Sequence, residues 1–117
     1  MKYMLLMYAN QDAMPNYSPE EQQAAFQEWQ TLGSEMTNAG VLISSNGLLP
    51  AATNATNVRV RGGKTVIADG PFAETHEQLG GYDLVECKDL AEALGWAAKM
   101  PSAKWGTIEV RPLWGQQ

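Results

Sequence analysis

Asp69, Glu74 and His76 fall in one short segment, Val66-Ile67-Ala68-Asp69-Gly70-Pro71-Phe72-Ala73-Glu74-Thr75-His76-Glu77-Gln78-Leu79-Gly80-Gly81-Tyr82. Carboxylates beside an imidazole are a set that moves protons. A carboxylate serves as base, and histidine is the side chain whose ordinary titration lies nearest neutral pH. Asp69, Glu74 and His76 are therefore the candidate catalytic residues. Gly70, Pro71 and Phe72 form the bend beside them and are candidate ligand contacts. Tyr3, Tyr8 and Arg111, on the first and last predicted strands, are the further groups that would assist in binding.

Each of these residues also has a plainer role. Alternation along a hairpin puts Val58, Val60, Thr65 and Ile67 on one side, and Asp69 continues that side. A carboxylate entering an apolar region must be paired or hydrogen-bonded. Asp69 either accepts amide hydrogens from Phe72 onward in the turn that Gly70-Pro71 makes, or anchors a ligand, and the two roles can coexist. His76 is either a reacting group or a solvated loop residue. Thr75 to Gln78 also fits a helix-capping box. Gly80-Gly81 admits a close approach of backbone or ligand, and a β-bulge is the better reading. Glu109 and Arg111 share a strand face, where they form an ion pair or leave Arg111 to hold a carboxylate.

The elements that must hold this segment are legible in the apolar pattern. Residues 2–8 are apolar on both alternating faces, as in a strand covered on both sides. Ser18-Pro19-Glu20-Glu21 opens a helix with a cap, a first-turn proline and a capping box. Phe26, Trp29, Leu32 and Met36 follow at helical spacing, and Gly40 closes the helix. Residues 41–49 read as a strand broken near Asn46-Gly47, and residues 51–56 as a small-residue connection. Residues 57–61 and 64–69 pair across Gly62-Gly63. Residues 82–87 form a strand, Asp89 caps a second helix with the stripe Leu90, Ala93, Leu94 and Ala97, and residues 107–113 form the last strand.

That order predicts an α+β fold: a ferredoxin-like antiparallel sheet with two helices on one face, in a single domain spanning residues 1–117. Helices cover only one face of such a sheet. Since the first strand is apolar on both, a second copy packed sheet to sheet is expected, giving a two-fold homodimer.

Composition narrows the function classes. The 117 residues carry a net charge of −5, which disfavours nucleic acid because phosphate binding needs clustered cations. Arg59, Arg61 and Lys64 read as a solvated strand face. No apolar run approaches a membrane span, and residues 1–8 do not read as a signal peptide, so a cytoplasmic location is expected. Cys87 is the single cysteine, expected to be buried in a strand, and it allows no intrachain disulfide or thiolate cluster. Metalloprotease, nucleophile-elbow, phosphate-loop and dinucleotide motifs are missing, so neither cofactor nor metal is expected.

Ala68-Asp69-Gly70-Pro71-Phe72-Ala73-Glu74-Thr75 and Glu77-Gln78-Leu79-Gly80-Gly81-Tyr82 resemble the DGPF-domain branch of the YCII-related proteins. Lys2-Tyr3-Met4-Leu5-Leu6, Ser18-Pro19-Glu20-Glu21, Ala39-Gly40-Val41-Leu42 and Ile108-Glu109-Val110-Arg111-Pro112 are similar to the same family. The resemblance implies a dimeric α/β-barrel. It also implies an enzyme built on a His–Asp pair, with the histidine near the start of the first helix. This chain has Glu20, Glu21, Gln22 and Gln23 there, so that pair does not transfer, and His76 stands where related sequences often have lysine. Genes or fusions with alternative sigma factors are a further implication of the resemblance. Two functions follow as expectations: a cofactor-independent enzyme acting in a cleft between sheet and helices near Asp69, or a ligand-binding or regulatory module working with a sigma factor. On the second, Trp96, Trp105 and Trp114 are candidate interface aromatics. An inert dimer scaffold is the third.

Overall fold

The computed structural model describes residues 1–10, 15–73 and 76–116. The elements run β1 (Lys2–Ala9), α1 (Pro19–Asn38), β2 (Leu42–Gly47), α2 (Ala51–Asn54), β3 (Thr56–Arg61), β4 (Lys64–Asp69), β5 (Gln78–Glu86), α3 (Leu90–Ala98), a 3₁₀ turn (Pro101–Lys104) and β6 (Thr107–Pro112).

The helix signals act as their chemistry requires. The Ser18 hydroxyl accepts from the Glu21 amide at 3.2 Å, and the Glu21 carboxylate accepts from the Ser18 amide at 3.1 Å. Such a cap stabilises a helix by about 1 kcal/mol. Asp89 caps α3 by accepting from the Glu92 amide at 2.9 Å. Gly40, with φ 72°, ends α1 in the left-handed conformation that favours glycine.

Four antiparallel strands form a sheet in the order β2-β5-β1-β6, while β3 and β4 pair with each other in a separate hairpin. Tyr3 lies opposite Val85, and Leu5 opposite both Asp83 and Val110, so these residues share one face. On that face Tyr3, Leu5, Val85 and Cys87 meet Leu32 and Met36 of α1, Ala93 and Ala97 of α3, and Met100. Each large apolar side chain buried there contributes about 1.5–3 kcal/mol. Both long helices thus cover the same side. Met4, Leu6, Tyr82 and Leu84 point to the other side and stay half-buried.

Several boundaries differ from the sequence reading. The irregularity of β2 falls between Leu42 and Ser44 rather than at Asn46-Gly47. The connection after it contains the helical turn α2, and β5 begins at Gln78. Within one chain the described strands form an open sheet plus a separate hairpin and close no barrel. The hairpin follows the expected pairing, with Gly62 at φ 58° and Gly63 at φ 75° in its turn. Parity is also right, since Val58 pairs with Ile67 and Thr56 with Asp69. The burial expected for that face is wrong. Val58 is 63% and Ile67 66% exposed, because no described helix or strand of this chain lies over the hairpin.

Candidate functional site

At the far end of β1 five elements converge around a cleft. Met7, Tyr8 and Ala9 supply its floor, Trp29 comes from α1, Leu48 follows β2, Gln78 and Gly80 belong to β5, and Ser102 and Trp105 come from the turn after α3. Together they bound about 220 Å³.

Local backbone chemistry explains why a cleft forms here. Met7 pairs with Gly81 but Tyr8 with Leu79, so Gly80 is bulged out of the ladder. Gly81 meanwhile lies so near β2 that a Cβ there would meet the Asn46 carbonyl oxygen at 3.0 Å. The bulge and the close approach that Gly80-Gly81 allowed as alternatives are both present. After α3, Pro101 starts a tight turn closed by Ala103 N–H to the Met100 carbonyl (3.0 Å) and Gly106 N–H to the Ser102 carbonyl (2.7 Å). That turn buries Ser102 to 6% exposure and carries Trp105 beside it. Among the described residues the Ser102 hydroxyl has no hydrogen-bond partner. No Asp, Glu, Lys, Arg or His among the described residues lines the cleft.

The residues singled out from sequence are dispersed. Asp69 is exposed, and its carboxylate accepts from the Thr56 hydroxyl at 3.5 Å and from no turn amide among the described residues. Asp69, Pro71 and Phe72 line a small depression of about 90 Å³ with Asn57 and Arg59. The bend itself is held from outside the motif. Asn57 donates to the Gly70 carbonyl, Arg59 donates to the Phe72 carbonyl at 3.3 Å, and the Gly70 amide donates to the Ala55 carbonyl at 2.8 Å. Arg59 thus has a structural partner, while Arg61 and Lys64 remain on the exposed hairpin.

His76 is exposed, and Glu74 and Thr75 lie outside the described residues, so the capping box proposed for Thr75 does too. Tyr3 is 4% exposed in the core, whereas Tyr8 lines the cleft. Arg111 sits on the helix-free face of the sheet and approaches Glu109 at 4.0 Å, an exposed pair of little energetic consequence. Of the three tryptophans considered as interface groups, Trp114 is 99% exposed and Trp96 lies under the Lys99 ammonium at 4.8 Å. Trp105 belongs to the cleft. Sequence reasoning placed Trp29 only on a helix stripe and missed Ser102, since nothing in local spacing says which strand end a turn will cover.

Two buried groups have shifted protonation. Asp83, 5% exposed beneath the helices, has its carboxyl pushed upward by burial, against a smaller opposing pull from a hydrogen bond with Ser45. Its Oδ1 has no partner among the described residues. The Cys87 thiol is pushed up to about 11 by burial, then by a hydrogen bond to Glu92 and that residue's charge. Among the described residues no three His, Cys, Asp or Glu side chains gather as a metal site, and no helix is long and apolar enough to cross a membrane.

The YCII-related domain matches residues 1–115 of this sequence. The chain belongs to the YCII-related family. It is also similar to an uncharacterised protein of Rhizobium meliloti (strain 1021), with 36% identity over 115 residues that cover 97% of this chain and 92% of that one. Both matches run through the residues of the cleft as well as the Asp69 bend, so the family likeness extends over the whole domain rather than one motif.

Proposed function

We propose that this YCII-related protein is a small-molecule-binding domain of the DGPF branch, with its ligand site in the cleft at the end of β1. The observation that carries this reading is the buried Ser102 hydroxyl, without a partner among the described residues, beside a concave volume with two tryptophans. Concave, mostly apolar sites with a few convergent polar groups are where proteins hold small molecules. Binding is favoured over catalysis because no carboxylate, imidazole or amine of the described residues lines the cleft. The enzymatic alternative keeps Asp69 as base or anchor, with Gly70, Pro71 and Phe72 beside it. It requires that exposed carboxylate to meet a substrate at the hairpin depression.

The same reading takes the working form to be a ferredoxin-like homodimer, the dimeric α/β-barrel of the resemblance. Setting the hairpin aside, the strand order and the two helices on one face fit that fold. Three further features favour a second copy on the helix-free face. That face presents Met4, Leu6, Tyr82 and Leu84, and the fully exposed Trp114 stands at its edge. The hairpin exposes Val58, Val60, Ile67 and Phe72, and exposed apolar surface of this kind marks interaction sites. The radius of gyration is 16.3 Å, against about 13 Å for a compact domain of about 100 residues. A sigma factor as partner is a separate proposal, and the apolar character of the face favours the second copy.

The test is a thermal-shift screen of a broad metabolite library against the wild type and Leu48→Trp, which fills the cleft. Compounds that raise the wild-type melting temperature and lose that effect in the variant support the reading. A screen without hits, or hits indifferent to the filled cleft, overturns it. Sedimentation of Leu84→Arg tests the dimer: wild type at twice the chain mass and a monomeric variant are expected, and a monomeric wild type refutes it.

A further inference from the structure

We infer that the ligand of this cleft is a neutral, planar ring compound carrying one hydrogen-bonding oxygen or nitrogen that pairs with the Ser102 hydroxyl; this rests on the cleft being the ligand site. Four observations define that class.

The first is the hydroxyl. Ser102 is 6% exposed and its Oγ has no partner among the described residues. Leaving a buried hydroxyl unpaired costs about 1–3 kcal/mol, which is why such groups are nearly always satisfied. A ligand that meets the hydroxyl, once the Ser102 side chain turns toward the cleft it lines, recovers that cost on binding. The second is the wall. Trp29 and Trp105 bring indole rings and Met7 a polarisable thioether to the lining, groups that attract an aromatic ring by dispersion.

Charge is the third. No described side chain lining the cleft is ionisable near neutral pH, and the chain as a whole carries −5. An anion would be desolvated without a counter-ion and repelled by the protein's own field, and a cation would likewise lose its water without a carboxylate to replace it. Size is the fourth. The cleft measures about 220 Å³. An apolar cavity of about 150 Å³ accepts benzene, so this space suits one ring with a substituent or two fused rings. Polar contact is confined to few groups, of which Ser102 is the buried one. It is a specificity-determining residue in this scheme, selecting among rings of similar size by whether they carry a hydrogen-bonding atom.

The experiment uses the intact chain and four probes: phenol, indole, cyclohexanol and benzoate, each titrated by thermal shift and by tryptophan fluorescence against wild type and Ser102→Ala. Phenol and indole are expected to bind, with cyclohexanol and benzoate at least about fivefold weaker. Ser102→Ala is expected to weaken phenol about fivefold, the loss of one ordinary hydrogen bond. It is also expected to leave the unliganded melting temperature unchanged or higher, because it removes a buried hydroxyl that has no partner among the described residues. A structural role for the hydroxyl would lower that temperature and overturn the assignment to Ser102. Equal binding of cyclohexanol or benzoate overturns the ligand class while the cleft reading stands. Failure of all four probes, alongside library compounds that respond to Leu48→Trp, does the same. Failure of the probes and of the whole library overturns both.

Discussion

Gly106 passes so close to Tyr8 that a Cβ on it would sit 2.3 Å from the Tyr8 carbonyl oxygen and 3.1 Å from that of Ser102. Both obstacles are backbone, so neither can swing aside. This contact seats the turn carrying Ser102 and Trp105 on the end of β1, and with it one wall of the cleft. Gly106→Ala must therefore lift that turn. The expected cost is about 3 kcal/mol, the upper end for overpacking a well-filled site. Urea denaturation of Gly106→Ala measures it. A loss under about 0.5 kcal/mol, typical of surface changes, would show that the turn is not seated there.

Within the Asp69-Gly70-Pro71 bend the burden falls on glycine rather than aspartate. Gly70 has φ 89°, and its amide is bonded to the Ala55 carbonyl. An L side chain held in that left-handed region costs about 1–2 kcal/mol. Asp69 is exposed, and among the described residues it reaches only the Thr56 hydroxyl, at 3.5 Å. Gly70→Ala should lower unfolding free energy by about 1–2 kcal/mol. Asp69→Asn should lower it by less than about 0.5 kcal/mol. Chemical denaturation of the two variants side by side decides this. An Asp69→Asn protein as unstable as Gly70→Ala would return the carboxylate to a structural role in the turn.

Local chemistry was readable where one stretch of chain decides the outcome. Ser18 with Glu21, Asp89, Gly40 and the Gly62-Gly63 turn act through neighbours a few residues away, and each does what its type predicts. The order of strands and helices announced a sheet with its helices on one side, and the double apolar face of β1 raised the expectation of a second cover. What the chain's pattern does not contain is which surface lies opposite another. Alternation correctly grouped Val58, Ile67 and Asp69, yet parity says only which residues share a face and never what covers it. Ser102 became informative only once its turn was seen over β1, and that placement depends on Gly106 and Tyr8, nearly the whole sequence apart.

Cys87 should be inert in the folded protein. It is 3% exposed and its thiol is pushed up to about 11, so almost no thiolate exists in mildly alkaline buffer. Reaction with a chromogenic disulfide reagent there is expected to require opening of the core. The labelling rate should rise with urea in step with unfolding measured by tryptophan fluorescence. Stoichiometric labelling within seconds in native buffer would mean that the strand end carrying Cys87 is open.

Asp83 sets a pH dependence whose sign follows from its burial. Below the ordinary value of 3.8 the carboxyl is protonated both folded and unfolded, and it has no linkage effect. As pH rises past 3.8, the unfolded chain releases the proton while the folded chain, with its carboxyl pushed up by burial, retains it. The folded state then binds more protons than the unfolded state, so stability falls as pH rises until the folded carboxyl also ionises. Beyond that point a constant penalty remains, because the ionised carboxylate is buried with one oxygen unpartnered among the described residues. Asp83→Asn keeps an acceptor for Ser45 and cannot ionise. Its stability relative to wild type should climb from about pH 4 to neutral, by about 1–2 kcal/mol, as expected for a poorly satisfied buried acceptor. Parallel urea titrations across that range give the difference curve directly. A flat curve, or one that falls with pH, would mean that the folded carboxylate is stabilised by a partner and that the burial argument for Asp83 is wrong.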